Sequence, residues 1–316
     1  MNNKVFALAA ALMFSCAVFS QKTKQSPYTV EQQSVESTLK FLSSDELKGR
    51  NTGSEGAEKA AKFLEDLMVK NSIKPYFATY RDTLSNFDKP AFNIVGYLEG
   101  TDPKLKNEFV IISAHYDHIG TALRPVDGDS VFNGADDNAS GCTAVAEIMA
   151  WFAKSHSNKR SIMFCFFSGE ERGLLGSKHL AAKLKKQDFN LYTVVNFEMI
   201  GMPLGKDIDA FITGYSRSNM ADKMNEYAGR KMIGYTDFEV RYQLFRASDN
   251  FPFYEEFNVP SHTLSTTDME SFKYYHHVKD EFGIMDTKHM AAFIGNMLPV
   301  MQKVVNANTK EIVLKK

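Results

Sequence analysis

The chain has 316 residues, 44% of them hydrophobic and 24% charged, with a formal net charge of −1. That length suffices for one large globular domain or two small ones. The near-neutral balance argues against a nucleic-acid binder, which would carry a basic excess, and nothing calls for a membrane surface or a polyanionic partner.

In chain order, Lys4 precedes an apolar run over residues 5–18, and AVFSQ follows. A basic start, a short apolar stretch and small residues at the cut describe a secretory signal peptide. Residues 1–20 are therefore read as a signal peptide cleaved after Ser20, leaving residues 21–316 as an exported, periplasmic or secreted, mature chain. The run is too short for a membrane span. Cys16 hints at a lipoprotein, but MFSC lacks the usual leucine three residues earlier.

Residues 21–30 read as a polar lead-in, and helical spacing then runs from Val30 towards Phe41 and Leu42. GRNTGSEG supplies a turn with Ser54 as a cap. Ala57, Ala60, Ala61, Leu64 and Met68 follow at steps of three and four, one face of an amphipathic helix. FNIVGYLEG and NEFVIISAHYDH read as strands, residues 119–138 as a loop rich in Asp, Gly and Asn, and Val145 to Phe152 as a helix. SIMFCFFSGEE, YTVVNFEMIG, DAFITGY and VPSHTLST are further strands. GLLGSKHLAAKLKK, SNMADKMNEYAGR and a segment from Lys288 to about Val305 are further helices. Continuous apolar strands alternating with helices predict a single α/β domain, with a mixed, mostly parallel central sheet flanked by helices on both faces. Cys142 and Cys165 lie in a helix-like and a strand-like run, so two separate buried thiols are the plainer reading over a bridge.

Three buried strands run into acidic or imidazole residues: SAHYDHIG, SGEE and NFEMIG. The carboxyl ends of strands form the ligand crevice of open α/β sheets. His115, Asp117, Glu170, Glu171 and Glu198 would therefore surround one cleft. Several carboxylates buried together need a counter-charge, and histidine with carboxylates suits zinc. His115 and Asp117 point to the same side of an extended segment, so the carboxylate can hold the imidazole tautomer; taken alone, the pair reads more simply as a loop histidine with an exposed aspartate. NGADDNASG alone reads as an N-cap, and DGDS lacks the length and distal Glu of a calcium loop, so it reads as a turn. Glu170 and Glu171 point in different directions, so one can bind metal while the other serves as base. KYYHHVKDEF offers His276 or His277, with Asp280 nearby. His118, His156, His179, His262 and His289 lack comparable company and read as surface or core residues. FRASDNFPFYEEF reads as core more than as a substrate pocket, though it could serve as both.

Taken in order, SAHYDHIG, NGADDNASG, SGEERGLLGS, NFEMIG and YHHVKD resemble the co-catalytic zinc aminopeptidases, which share their fold with glutamate carboxypeptidases and the transferrin-receptor ectodomain. The resemblance covers essentially the whole mature chain, and GRNTGSEG matches the family's usual opening. It implies two zinc ions per chain and peptide substrates cleaved at the N-terminus. It also implies roles: His115 binds one zinc with Asp117 as its orienting carboxylate, and Asp137 bridges both. Glu171 and His276 complete one zinc, and Glu198 with His115 the other. Glu170 is the base, Tyr275 steadies the intermediate, and Asp137–Asn138 is a candidate cis peptide. Departures are Glu198 where NLDMIG has aspartate, HHVKD for HTPxD, which leaves His277 as a rival ligand, and SDN for SDH. There is no insertion large enough for the protease-associated domain of some members. Rival readings are a single-zinc glutaminyl cyclase of the same fold, which a substituted GADDNASG would have favoured, and a catalytically dead binding ectodomain.

Overall fold

The computed structural model describes residues 29–315, so the expected signal peptide lies outside the described residues. The helices are α1 (Gln32–Leu42), α2 (Glu55–Lys70), α3 (Gly141–Ser155), α4 (Leu175–Lys186), α5 (Met220–Ala228), α6 (Asp237–Arg241), α7 (Asn250–Phe257) and α8 (Thr287–Asn306). The strands are β1 (Lys74–Pro75), β2 (Arg81–Thr83), β3 (Phe92–Leu98), β4 (Phe109–His115), β5 (Gly120–Val126), β6 (Asp129–Phe132), β7 (Ser161–Phe167), β8 (Leu191–Phe197), β9 (Ala210–Ile212), β10 (Ile233–Gly234) and β11 (Ser261–Ser265).

The main sheet runs β1-β3-β7-β4-β8-β11-β9-β10, with β2 paired to β3. Its centre is parallel: β7, β4, β8 and β11 all run the same way. β3 joins β7 antiparallel, and β9 joins β11 antiparallel. This is the mixed, mostly parallel sheet that the unbroken apolar runs predicted. Every residue of β7 and β8 is buried, because helices cover both faces and no face is left for polar alternation.

The helices obey their sequence periods. Val35, Leu39 and Leu42 are the buried stripe of α1. In α2 the Ser54 hydroxyl accepts from the Ala57 N–H, and the alanine-rich face with Leu64 and Met68 is buried. Capping of this kind satisfies a backbone donor that the helix itself cannot. Cys142 and Cys165 are separate, buried and unbridged. No helix among the described residues is long and apolar enough to cross a membrane.

The expected loop at 119–138 is partly wrong. It contains the hairpin β5–β6, turning at Asp127 and Gly128, both with positive φ, as the tight Asp-Gly hairpin turn demands. The DGDS segment is thus a turn, as read. The strands themselves escaped notice because β5 is largely exposed and carries Pro125, which blurs the period-two signal.

Candidate metal centre

β4, β7 and β8 are adjacent and parallel, so the residues just past their C-termini are delivered to one end of the sheet. His115 closes β4; Glu170 and Glu171 lie just beyond β7; Glu198 comes immediately after β8. The fourth contributor is the irregular turn Ala135–Ser140, with Asp137 and Asn138 outside helical geometry and a cis peptide between them. The fifth is the loop before α8, where His276 sits at φ 53°. A left-handed conformation at a bulky residue is uncommon and here turns the ring inward.

Asp137 stands between two donor groups. One is His115, Asp137 and Glu198; the other is His118, Asp137, Glu171 and His276. His115 Nε2 lies 3.3 Å from Asp137 Oδ1. On the other side, His276 Nε2 lies 3.1 Å from Asp137 Oδ2 and 3.1 Å from Glu171 Oε2. His118 Nδ1 lies 2.7 Å from Glu171 Oε1 and 3.7 Å from Asp137 Oδ2. The two oxygens of Asp137 thus face different groups, which is the geometry of a bridging carboxylate. Glu170 belongs to neither group.

The supports are as specific as the donors. Arg50, fully buried, donates to the carbonyls of Tyr116, Leu42, Asn133 and Gly134, fastening the segments on either side of His115 and Asp137. Asp280 captures three successive N–H groups: Ala135 on its main-chain oxygen at 3.0 Å, Asp136 on Oδ1 at 2.8 Å and Asp137 on Oδ2 at 3.0 Å. Asp117 accepts from the Thr52 hydroxyl at 2.7 Å and from the Glu170 N–H at 3.2 Å. Its main-chain oxygen is 3.1 Å from His115 Nδ1 and its carboxylate 3.9 Å. The carbonyl, rather than the carboxylate, is therefore the nearer partner fixing the tautomer. Ser248 donates to Glu198 Oε2 and accepts from Asn196 Nδ2, which is held by Ser113 through Oδ1. A side chain at Gly141 would place its Cβ 2.3 Å from the Phe197 carbonyl, so glycine lets the start of α3 close on the end of β8 beside Glu198.

The electrostatics point the same way. Burial pushes the Glu198 carboxyl up to about 7, against the pull of His115. Burial, with Glu198, Asp249 and Glu171 adding, holds Glu170 well above the usual range. Burial opposes ionisation of Asp137 too, but His118, His115 and His276 outweigh it and hold it low. Asp249, both oxygens buried without a hydrogen-bond partner, is pushed up to about 7 by burial. So many carboxyls in one dry place are tolerable only with positive charge among them. The buried Nε2 of His115 has no hydrogen-bond partner in the protein and faces the first group. Imidazole and carboxylate donors in sets of three and four fit zinc, so the residues present fit a pair of cations.

The structure brings His115, Asp137, Glu170, Glu171, Glu198 and His276 together. Tyr275 stacks on His276, ring centroids 4.0 Å apart. His277 faces away, with Nε2 3.8 Å from Asp127. His118 and Ser248 were missed. His118 was expected at the surface or in the core, yet it is buried within the donor group; its spacing of three from His115 was the only signal. The turn there is set by its N–H donating to the Arg50 carbonyl and by Gly134, where a Cβ would lie 2.6 Å from His118 Cδ2. A small apolar pocket opens beside Glu198 and Tyr275, lined by Met199, Phe211, Leu244, Ala247 and Met269. The aromatic segment serves as both: Phe245 is core, while Ala247 and Ser248 line this pocket.

Residues 93–301 match the model of peptidase family M28. Aminopeptidase YwaD of Bacillus subtilis is 30% identical over 165 residues, covering 52% of this chain and 33% of that protein. The chain spans about a fifth to a third of the length of the first curated relatives it matches. Among solved structures, the zinc aminopeptidase BSAP of Bacillus subtilis superposes with a TM-score of 0.70 at 15% identity, covering 88% of this chain and 96% of that one. A glutaminyl cyclase of Bacteroides thetaiotaomicron superposes with a TM-score of 0.65 at 16% identity, covering 89% and 99%. At these identities the superpositions speak for the fold.

Proposed function

The chain belongs to peptidase family M28, and from that premise we propose that it is an exported zinc-dependent aminopeptidase acting on the N-termini of peptides. The observation that carries the reading is the pair of donor groups sharing Asp137, with Glu170 beside them and in neither. His115, Asp137 and Glu198 would hold one zinc; Asp137, Glu171 and His276, with His118 beside them, the other. Zinc bound there would supply a Lewis acid for the scissile carbonyl and a lowered pKa for the attacking water.

The remaining work falls to the chain. Glu170, raised well above the usual carboxyl range chiefly by burial, takes the proton of the water on its carboxylate and returns it to the leaving amine, acting as base and then acid. Asp117 holds the Glu170 backbone through its N–H, which fixes where that carboxylate can reach. Tyr275, at the mouth of the apolar pocket, offers its hydroxyl to the oxygen of the carbonyl under attack. The pocket receives an apolar side chain of the N-terminal residue, while the surplus of carboxylates favours the substrate's free ammonium. Export rests on the basic and apolar character of residues 1–20.

The test is a panel of aminoacyl substrates, with an N-terminal glutaminyl peptide included, assayed with and without added zinc. Zinc-dependent release of apolar N-terminal residues is expected. Cyclisation of glutamine without release of any residue would assign the site to the cyclase instead, and neither activity at any zinc loading would leave a binding ectodomain. N-terminal sequencing of the exported protein should begin at Gln21.

A further inference from the structure

We infer that His118 is a metal ligand through Nδ1, and that the two cation positions are consequently unequal: a closed one with four protein donors and an open one with three. This rests on the zinc reading above and says how the pair divides its work. His118, Asp137, Glu171 and His276 form one group, each offering a donor atom within 4.8 Å of the others; the nitrogens nearest the two carboxylates are His118 Nδ1 and His276 Nε2. His115 Nε2, Asp137 Oδ1 and the Glu198 carboxylate form the other. Four protein donors fill the tetrahedral shell of a structural zinc, whereas three leave the position that water or substrate needs.

The fold commits His118 to this orientation. Its N–H is held by the Arg50 carbonyl, a parallel bridge pairs it with Asn51, and Gly134 leaves no room behind the ring. The residue is 1% exposed. A histidine that only donated a hydrogen bond to Glu171 would account for the 2.7 Å contact, but not for Nδ1 also being aimed between Glu171 and Asp137, the same two carboxylates that His276 faces from the other side. The closed position should therefore fill first and empty last. The open position, with Glu198 as its third donor, should exchange readily and carry the chemistry.

Two measurements decide this. Nitrogen-15 NMR of the histidine rings in the intact protein, metal-free and zinc-loaded, reads which ring nitrogen is metallated. His115 and His276 should be metallated at Nε2 and one further ring, His118, at Nδ1 with its proton on Nε2. A His118 ring that keeps its proton on Nδ1 with both zincs bound overturns the inference while leaving the zinc reading intact. Chelator competition, read as zinc per chain by elemental analysis, provides the second. Wild type should lose one zinc at least 10-fold more easily than the other, Glu198→Ala should keep the tight one alone, and His118→Asn should lose that tight class. Two equivalent zincs in wild type, or an unchanged tight class in a folded His118→Asn, would overturn it. A wild-type protein that takes up no zinc would fail the underlying reading as well.

Discussion

Asp280→Asn is the sharpest single perturbation of the site, because it changes one atom and replaces none of the donor residues. The carboxylate accepts the N–H of Asp136 on one oxygen and that of Asp137 on the other. Asparagine keeps one acceptor and turns its NH2 towards the second N–H, so one charge-assisted hydrogen bond is lost and one buried N–H goes unpartnered. Losing a hydrogen bond to a charged group, with its donor left buried and bare, costs about 1.5–3 kcal/mol, which is the expected loss of stability. The bare N–H belongs to Asp137, the residue shared by both donor groups, and disturbing what holds a ligand costs about 10- to 100-fold in metal affinity. Urea unfolding of the metal-free protein reads the first quantity, and zinc titration against a competing chelator the second. Burial and the neighbouring Asp136 both push Asp280 towards its neutral form. A neutral carboxyl would already resemble the amide. If Asp280→Asn unfolds at the wild-type urea concentration and binds zinc as tightly, Asp280 is not the charged clamp described here.

Glu170→Gln should retain zinc content, since Glu170 lies in neither donor group, and lose about 10²- to 10⁴-fold in kcat, the usual worth of a positioned base; full turnover would remove Glu170 from the mechanism. Zinc uptake should release protons and tighten as pH rises from 6 to 9. Although burial opposes it, Asp137 and Glu171 raise His276 to about 10 in the metal-free protein, and a ligand must be deprotonated. Calorimetry in buffers of different ionisation enthalpy measures the release, and a pH-independent affinity would contradict it. His262 is buried, with Nδ1 2.7 Å from the Thr213 carbonyl and Nε2 2.7 Å from the Ser218 hydroxyl, and burial lowers it to about 4. The unfolded chain takes up that proton near pH 6.5 and the folded one only near 4. Its contribution, about 3 kcal/mol at about 1.4 kcal/mol per pH unit, is therefore intact above pH 6.5 and lost as pH falls towards 4. His262→Gln should flatten the stability profile in that window, and an unchanged slope would place the acid sensitivity elsewhere.

Much of this was legible because the two strongest sequence signals coincide. Wholly apolar runs mark strands buried on both faces, and β4, β7 and β8 each end where His115, the Glu170–Glu171 pair and Glu198 begin. A carboxylate directly after such a run is expensive unless it is used, so the cleft announces itself. His118 was illegible because nothing local distinguishes it; its direction is set by Arg50 and Gly134, 68 positions before and 16 after. Ser248 was hidden similarly, acting only once β8 brings Glu198 against it. β5 is largely exposed and carries Pro125, while β6 (four residues) and the short helix α6 (DFEVR, five residues) are too short for a period to emerge. For His118 and Ser248 the deciding contact is long-range, and a single sequence does not print such contacts.

The parallel pairing of β4 with β7 and β8 also bears on the order in which this molecule is made. Its donors run from His115 to His276 and come from five separate segments, so no stretch of unfolded chain holds a set that could seize a cation, unlike a zinc finger whose ligands lie close along the sequence. The sheet, with its crossovers and distant partners, has to close first, gathering its acidic residues without help and against their repulsion. Cation capture then becomes the last event of maturation and a seal on a finished framework. A chain that folded before meeting zinc would wait as an assembled but silent precursor, switched on by the metal supply around it.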